Sequence, residues 1–260
     1  MGKGGSTRLL VAGDPEPVVF ANPGADGPCV IVCDHAGRAT PKALGRLGLP
    51  DAAFDQHIAW DIGAAGVSLL LGKALGSPVI RQSYSRLVID CNRAPGRADT
   101  IVQITDGVSV PGNLVLSRDQ TQARIDEVHT PYHARIAAEF DRRSSRGLRS
   151  VLLSIHSFTP RMNGQDRPWR FGVLHDYDSP LSEAMLATLR DEAGLVVGDN
   201  EPYAMDGIDY TAPLHARGRG LDYLELEIRQ DLIQDDAGQA KVAAFLAPAF
   251  RAAMARLGPA

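Results

Sequence analysis

Lysine is scarce in this 260-residue sequence, and cysteines and aromatic residues are few. Lysine occurs only at Lys3, Lys42, Lys73 and Lys241, so the basic residues are almost all arginine, and the formal net charge is −4. That balance argues against a nucleic-acid partner, which calls for a dominant basic surface. Three cysteines, Cys29, Cys33 and Cys91, are an odd number without a Cys-x-x-Cys spacing. They argue against a disulfide framework and for a reducing, cytoplasmic compartment. Cys33 and Cys91 lie in apolar runs and read as buried small hydrophobes. Long apolar runs are also missing: the segment Ile62–Leu71 is broken by glycines and far short of the roughly 20 residues a bilayer requires. Met1–Thr7 is Gly/Ser-rich with no long apolar stretch behind it, so no secretory leader is expected. There is no Gly-x-Ser-x-Gly elbow, no Walker loop, no Gly-x-Gly-x-x-Gly after a strand and no His-Glu-x-x-His. These absences count against serine hydrolases, NTPases, dinucleotide enzymes and zincins.

What is present is a chain with 44% hydrophobic and 22% charged residues, enough to bury a full core without covalent staples. With no linker and no internal repeat, residues 1–260 read as one domain. Short β-branched runs alternate with helical patterns, the mark of an α/β sheet. The expected strands are 29–33, 78–82, 87–91, 151–155, 172–174, 195–197 and 223–228; several are continuously apolar, as strands covered by helices on both faces should be. Helices are expected over 57–75, from a Ser117 cap to about residue 143 with Pro131 bending or breaking it, from Ser179 or Ser182 to near Gly194, and over 237–257. Two polar loops, 96–113 and 159–168, follow expected strands, where α/β proteins place their chemistry.

Polar groups gather at those strand ends. Asp34-His35-Ala36-Gly37 follows the first apolar strand, and Ser154-Ile155-His156-Ser157 closes the 151 strand. Catalytic zinc favours three imidazole or carboxylate ligands plus a water; His35 and His156 supply two, and Asp61 is the candidate for the third. His129 and His133, one turn apart near Asp126 and Glu127, form a rival pair whose register Pro131 disturbs. The run from Arg86 to Arg93 ends in Asp90-Cys91-Asn92-Arg93, a pattern that reads either as a carboxylate grip or as a structural Arg–Asp pair. Glu225 and Glu227 alternate along the last strand and so share a face; whether that face meets solvent or a site stays open at this level. His215, with Arg217 and Arg219 in a Gly-rich stretch before the last strand, is read as a residue that meets the substrate side chain.

Taken in order, Asp34–Arg38, His57–Gly63 with Trp60-Asp61-Ile62-Gly63, Tyr84–Arg93, Pro131-Tyr132-His133, Ile155–Phe158, Gly198–Tyr203 and Glu227–Asp231 resemble the N-formylglutamate amidohydrolase family over most of the chain. The resemblance implies a three-layer α/β/α sandwich with a mixed, mostly parallel central sheet, phosphorylase/hydrolase-like and related to zinc carboxypeptidases and aspartoacylase. It implies one divalent metal, zinc by preference, on His35, Asp61 and His156. It further implies a carboxylate clamp of Asn92 and Arg93, Arg86 polarising the scissile carbonyl, and Glu227 as base. The substrate is then a small carboxylate such as N-formylglutamate, cleaved to formate and the amino acid. Arg38 stands where the related enzymes carry a metal-binding Glu, so the acidic ligand must come from elsewhere. Competing readings are a deacylase of longer N-acyl amino acids, a peptide-trimming hydrolase, and a catalytically silent small-molecule binder on the same scaffold.

Overall fold

The computed structural model describes residues 8–176 and 179–258; the Met1–Thr7 segment, expected to hold no leader, lies outside them. In chain order the elements are β1 (Val18–Ala21), β2 (Cys29–Cys33), α1 (Ala64–Leu75), β3 (Val79–Gln82), the short pair β4 (Ile104–Thr105) and β5 (Val108–Ser109), α2 (Arg118–Arg124), a π-helical turn (Ile125–His129) and α3 (Thr130–Ser145). They continue with β6 (Val151–Phe158), the short pair β7 (Arg161–Met162) and β8 (Gln165–Asp166), β9 (Phe171–Leu174), α4 (Pro180–Arg190), β10 (Val197–Asp199), α5 (Thr211–His215), β11 (Tyr223–Arg229) and α6 (Asp236–Arg256).

Seven strands form one sheet in the order β1-β3-β2-β6-β11-β9-β10. The β3-β2-β6-β11 centre is parallel, whereas β1 and β9 run antiparallel to their inner neighbours. Side-chain alternation divides the core into two layers. Cys29, Ile31 and Cys33 of β2 pack with Val67 and Leu71 of α1, Met185 of α4 and Leu246 and Phe250 of α6. Val30 and Val32 face the other way, onto Tyr132, Ile136 and Phe140 of α3. The result is the expected mixed, mostly parallel three-layer α/β architecture.

Several local expectations change. The run Leu87–Cys91 is not a strand, although Leu87, Val88 and Ile89 are buried in a third cluster with Phe54, Ile58 and Val110. Burial explains its apolar pattern, but side chains rather than a ladder satisfy its carbonyls. Asn113 Nδ2 donates to Leu87 O at 2.9 Å, and the buried Arg124 guanidinium donates to Val88 O at 2.9 Å. Helix α1 starts only at Ala64: Gly63 has φ 80°, and an added Cβ there would meet Ile233 O at 2.1 Å. The preceding 57–62 stretch is therefore a turn. Pro131 does not break its helix. Ser117 closes a capping box with Gln120, and the π turn Ile125–His129 precedes Pro131 in the first turn of α3, so the missing N–H is absorbed where the hydrogen-bond ladder already changes pitch.

We propose that the chain is a single cooperative domain. Calorimetric and van't Hoff enthalpies should agree in one transition. Leu224→Ala, at a fully buried β11 position, should lower stability by about 2–5 kcal/mol without splitting that transition; two resolved transitions would refute the reading.

Candidate active site

The parallel strands end at one edge of the sheet. There β2 runs directly into Asp34 and His35, β6 carries Ser154 and His156, and β11 carries Glu225 and Glu227. Leu153, Ile155, Leu224, Leu226 and Ile228 fill the core behind one face, so the alternate residues Ser154, His156, Glu225 and Glu227 share the opposite one. In register, Glu227 stands beside His156 and Glu225 beside Ser154. Across the sheet Glu227 pairs with Gly172, where a Cβ would meet Glu201 O at 2.1 Å. A Cβ at Gly198 would meet the same oxygen at 2.3 Å. Only bare backbone at these two positions lets the 199–203 segment lie on the sheet and bring Tyr203 to the site.

Asp61 reaches the edge from the turn before α1, its N–H donating to His35 O at 2.9 Å. Asp61 Oδ2 lies 3.3 Å from His35 Nδ1 and 3.0 Å from His156 Nδ1, and it accepts from Ser157 N–H at 3.2 Å. One donor atom from each of the three residues lies within 4.8 Å of the others, and all three are buried. Ligand atoms about 2.0 Å from a tetrahedral ion stand about 3.3 Å apart, so the donor set fits a divalent metal. The outer nitrogens fit as well: His35 Nε2 is 2.8 Å from Asp90 Oδ1, and His156 Nε2 is 3.0 Å from Ser154 Oγ and 3.3 Å from Asp34 Oδ2. Such outer partners fix ring orientation in metal sites.

The electrostatics show what this edge holds. Burial and Arg86 oppose charging His35, yet Asp90 and Asp61 outweigh them and raise its pKa. Burial likewise opposes charging His156, and hydrogen bonds to Asp34 and Asp61 raise its pKa well above the ordinary value. Asp61 and Asp90 are held low against burial, Asp61 by the two imidazoles and Asp90 by Arg86 and His35. This is an environment built for positive charge, and a dication suits it with both imidazoles neutral. Glu227 behaves in the opposite way: burial, with Asp61 adding to it against the pull of His156, lifts it to about 7. Glu225 goes well above the carboxylate range through burial and Asp209. Glu225 Oε2 and Glu227 Oε2 are buried without a hydrogen-bond partner among the described residues.

These groups floor a cavity of about 410 Å3, the scale of a small-molecule site. Its walls include Asp99 and Asp106 from the 96–113 loop, Thr159 and Met162 from the 159–168 loop, and Tyr203, Asp206 and Asp209. Arg86 lines it, its guanidinium 2.7 Å from Asp90 Oδ2 and 3.6 Å from Asp61 Oδ1. Arg93 also lines it, 3.3 Å from Asp99 and 3.5 Å from Asp209. Asn92 reaches the wall with its amide engaged: Nδ2 donates to Asp209 Oδ1 at 2.9 Å, and Oδ1 accepts from the backbone of Tyr210 and Thr211. His215 is not among the lining residues. It closes α5 and is buried, with Nε2 2.9 Å from His133 Nδ1, because the Thr211–His215 turn points it at α3 instead of the cavity. The rival pair is structural: His133 Nε2 contacts Cys91 O at 2.9 Å and His129 Nε2 contacts Arg93 O at 3.0 Å, bracing the segment that carries Asn92 and Arg93. Arg38 stays outside, paired with Asp55 and set over Trp60. Arg86 and Asp90 form the Arg–Asp pair that is one of the two readings of the Arg86–Arg93 run; what the sequence does not reveal is that Asp90 also meets His35, that Asp34 backs His156, and that Asp209 meets Asn92 from 117 residues away.

Fold and site together define an α/β protein with a buried His-Asp-His donor set at the carboxyl edge of its sheet. The model of the N-formylglutamate amidohydrolase family matches residues 27–234; the chain belongs to that family and is in class a hydrolase acting on an amide. Among solved structures it is similar to a gene product of Agrobacterium tumefaciens, with 36% identity, a TM-score of 0.93, and 97% of this chain and 100% of the other covered. It shares the fold of an N-formylglutamate amidohydrolase from Ralstonia eutropha JMP134 at 19% identity and TM-score 0.66, over 94% and 100% of the two chains. No curated protein matches it in sequence.

Burial holds His133 at about 3 and His215 at about 4, below the ordinary 6.5. Both contributions are therefore complete above pH 6.5 and lost as pH falls toward the folded values, because the unfolded chain takes the protons first. The share of each should be a loss of about 2 kcal/mol between pH 8 and 5, set against the opposite shares of His35, His156 and Glu227, whose raised pKa values favour the folded chain as pH falls. The stability difference between His215→Phe and the unaltered chain, from urea midpoints, should therefore shift in favour of the variant by about that share from pH 8 to 5, and a difference independent of pH would contradict the neutral pair.

Proposed function

We propose that the chain hydrolyses the amide of a small N-formyl or N-acyl amino acid, N-formylglutamate being the family's type substrate, and releases the carboxylic acid and the free amino acid. The observation that carries this reading is the Glu227 carboxyl oxygen, buried without a partner in the same cavity as the His35-Asp61-His156 donor set. A divalent ion on those three residues, zinc by donor preference, supplies Lewis acidity and a water of lowered pKa. Glu227, lifted to about 7 by burial, is matched to proton transfer near neutrality. Its free oxygen accepts the proton of the attacking water and returns it to the departing nitrogen. Arg86, oriented by Asp90 and Asp61, donates to the oxygen on which negative charge develops. Arg93 holds the substrate carboxylate by exchanging its looser contacts to Asp99 and Asp209 for a bidentate pair. Asn92 orients this clamp, since its own amide is committed to Asp209 and the start of α5.

The test is a panel of N-formyl and N-acetyl amino acids. Glu227→Gln should lower kcat by about 10²- to 10⁴-fold while bound metal is retained. Arg93→Ala should act mainly through KM, with a loss of about 2–5 kcal/mol in kcat/KM. A Glu227→Gln chain that keeps most of its turnover would remove Glu227 from the reaction.

A further inference from the structure

The cavity is rich in carboxylates and poor in free cations. Among the described residues its lining holds two guanidinium groups, Arg86 and Arg93, and both are committed. Arg86 bridges Asp61 and Asp90, and Arg93 lies against Asp99 and Asp209. If Arg93 turns to the α-carboxylate, no lining arginine or lysine is left for a second one. Arg97 pairs with Asp99 from outside, and Arg167 donates to Thr159 and Tyr203; neither lines the cavity.

The acidic side still outweighs the basic one. Even with Glu225 and Glu227 counted as neutral, six lining aspartates face two lining arginines, Arg97 against Asp99 and one dication, a surplus of one negative charge before substrate enters. Asp206 stands exposed at the wall, and Asp106 lies 3.2 Å from the His57 imidazole. Deeper down, the Glu225 and Glu227 side chains, 1% and 6% exposed, each leave one oxygen without a partner in the same cavity. Hydrolysis uses the Glu227 oxygen; the Glu225 oxygen stays unused by it and points to a ligand that brings donors.

We infer that the substrate of this chain is an N-acyl amino acid with one carboxylate and a basic side chain, Arg93 taking the carboxylate and the Asp106–Asp206 wall taking the cation. The inference rests on the amidohydrolase reading and selects a substrate class within it. At contact distance one misplaced charge in a partly desolvated site changes affinity by about ten-fold or more.

Binding separates the two claims. N-formyl-lysine, N-formyl-norleucine and N-formylglutamate are titrated by calorimetry into the Glu227→Gln chain with zinc present, and turnover of the same three is followed in the unaltered chain. The expected order of affinity is lysine, then norleucine, then glutamate derivative, with about ten-fold or more between the ends. Asp106→Asn and Asp206→Asn should each narrow that gap. Tighter or equal binding of N-formylglutamate overturns the inference, as does absence of binding by all three or a gap indifferent to both substitutions. Preferential binding of N-formyl-lysine without its hydrolysis would uphold the cationic selectivity of the cavity and overturn the amidohydrolase reading on which its role as substrate rests.

Discussion

Asp61 is 4% exposed, and one of its oxygens lies 3.0 Å from His156 and 3.3 Å from His35. A buried carboxylate is costly unless it is paired and hydrogen-bonded, and here the pairing extends outward. Asp34 and Asp90 sit behind the two imidazoles, and Arg86 spans Asp90 and Asp61. The edge therefore requires positive charge at its centre. The raised pKa values of both imidazoles express that demand, and a divalent ion held by neutral imidazoles would meet it. The three-layer fold makes this possible, because parallel strands deliver His35, His156 and Glu227 to one edge while α1, α4, α6 and α3 seal the flanks.

The second constraint is the backbone segment 90–93. It has no strand neighbour, yet it must hold Asp90 against His35 and Arg93 over the cavity. Side chains from distant elements hold it in place. Arg124 and Asn113 satisfy the carbonyls before it, and His133 and His129 those within it. The π turn before Pro131 aims both histidines at this segment. A π turn beside a functional site is a common pairing.

The sheet centre was legible because 29–33, 151–155 and 223–228 are continuously apolar or strictly alternating, and the period of two then places Glu225, Glu227, Ser154 and His156 on a common face. His35, Asp61 and His156 were legible as polar residues at expected strand and helix ends. Leu87–Cys91 misled, because an apolar run buried by loops has the same pattern as an apolar run buried in a sheet. The 57–63 turn was hidden for a related reason: helical spacing runs through it, and only the close approach of Ile233 to Gly63 stops the helix. His215 was misplaced because sequence order does not reveal which side of the sheet a five-residue helix packs against. The arginine commitments that shape the charge of the cavity depend on Asp99 and Asp209, which no local pattern ties to Arg93.

If the His35-Asp61-His156 cluster holds one divalent ion, elemental analysis of the purified chain should find about one zinc or similar ion per chain, and His35→Ala and His156→Ala variants shown to be folded should both lose it. An intact chain that takes up no metal after incubation with zinc at neutral pH would contradict that assignment.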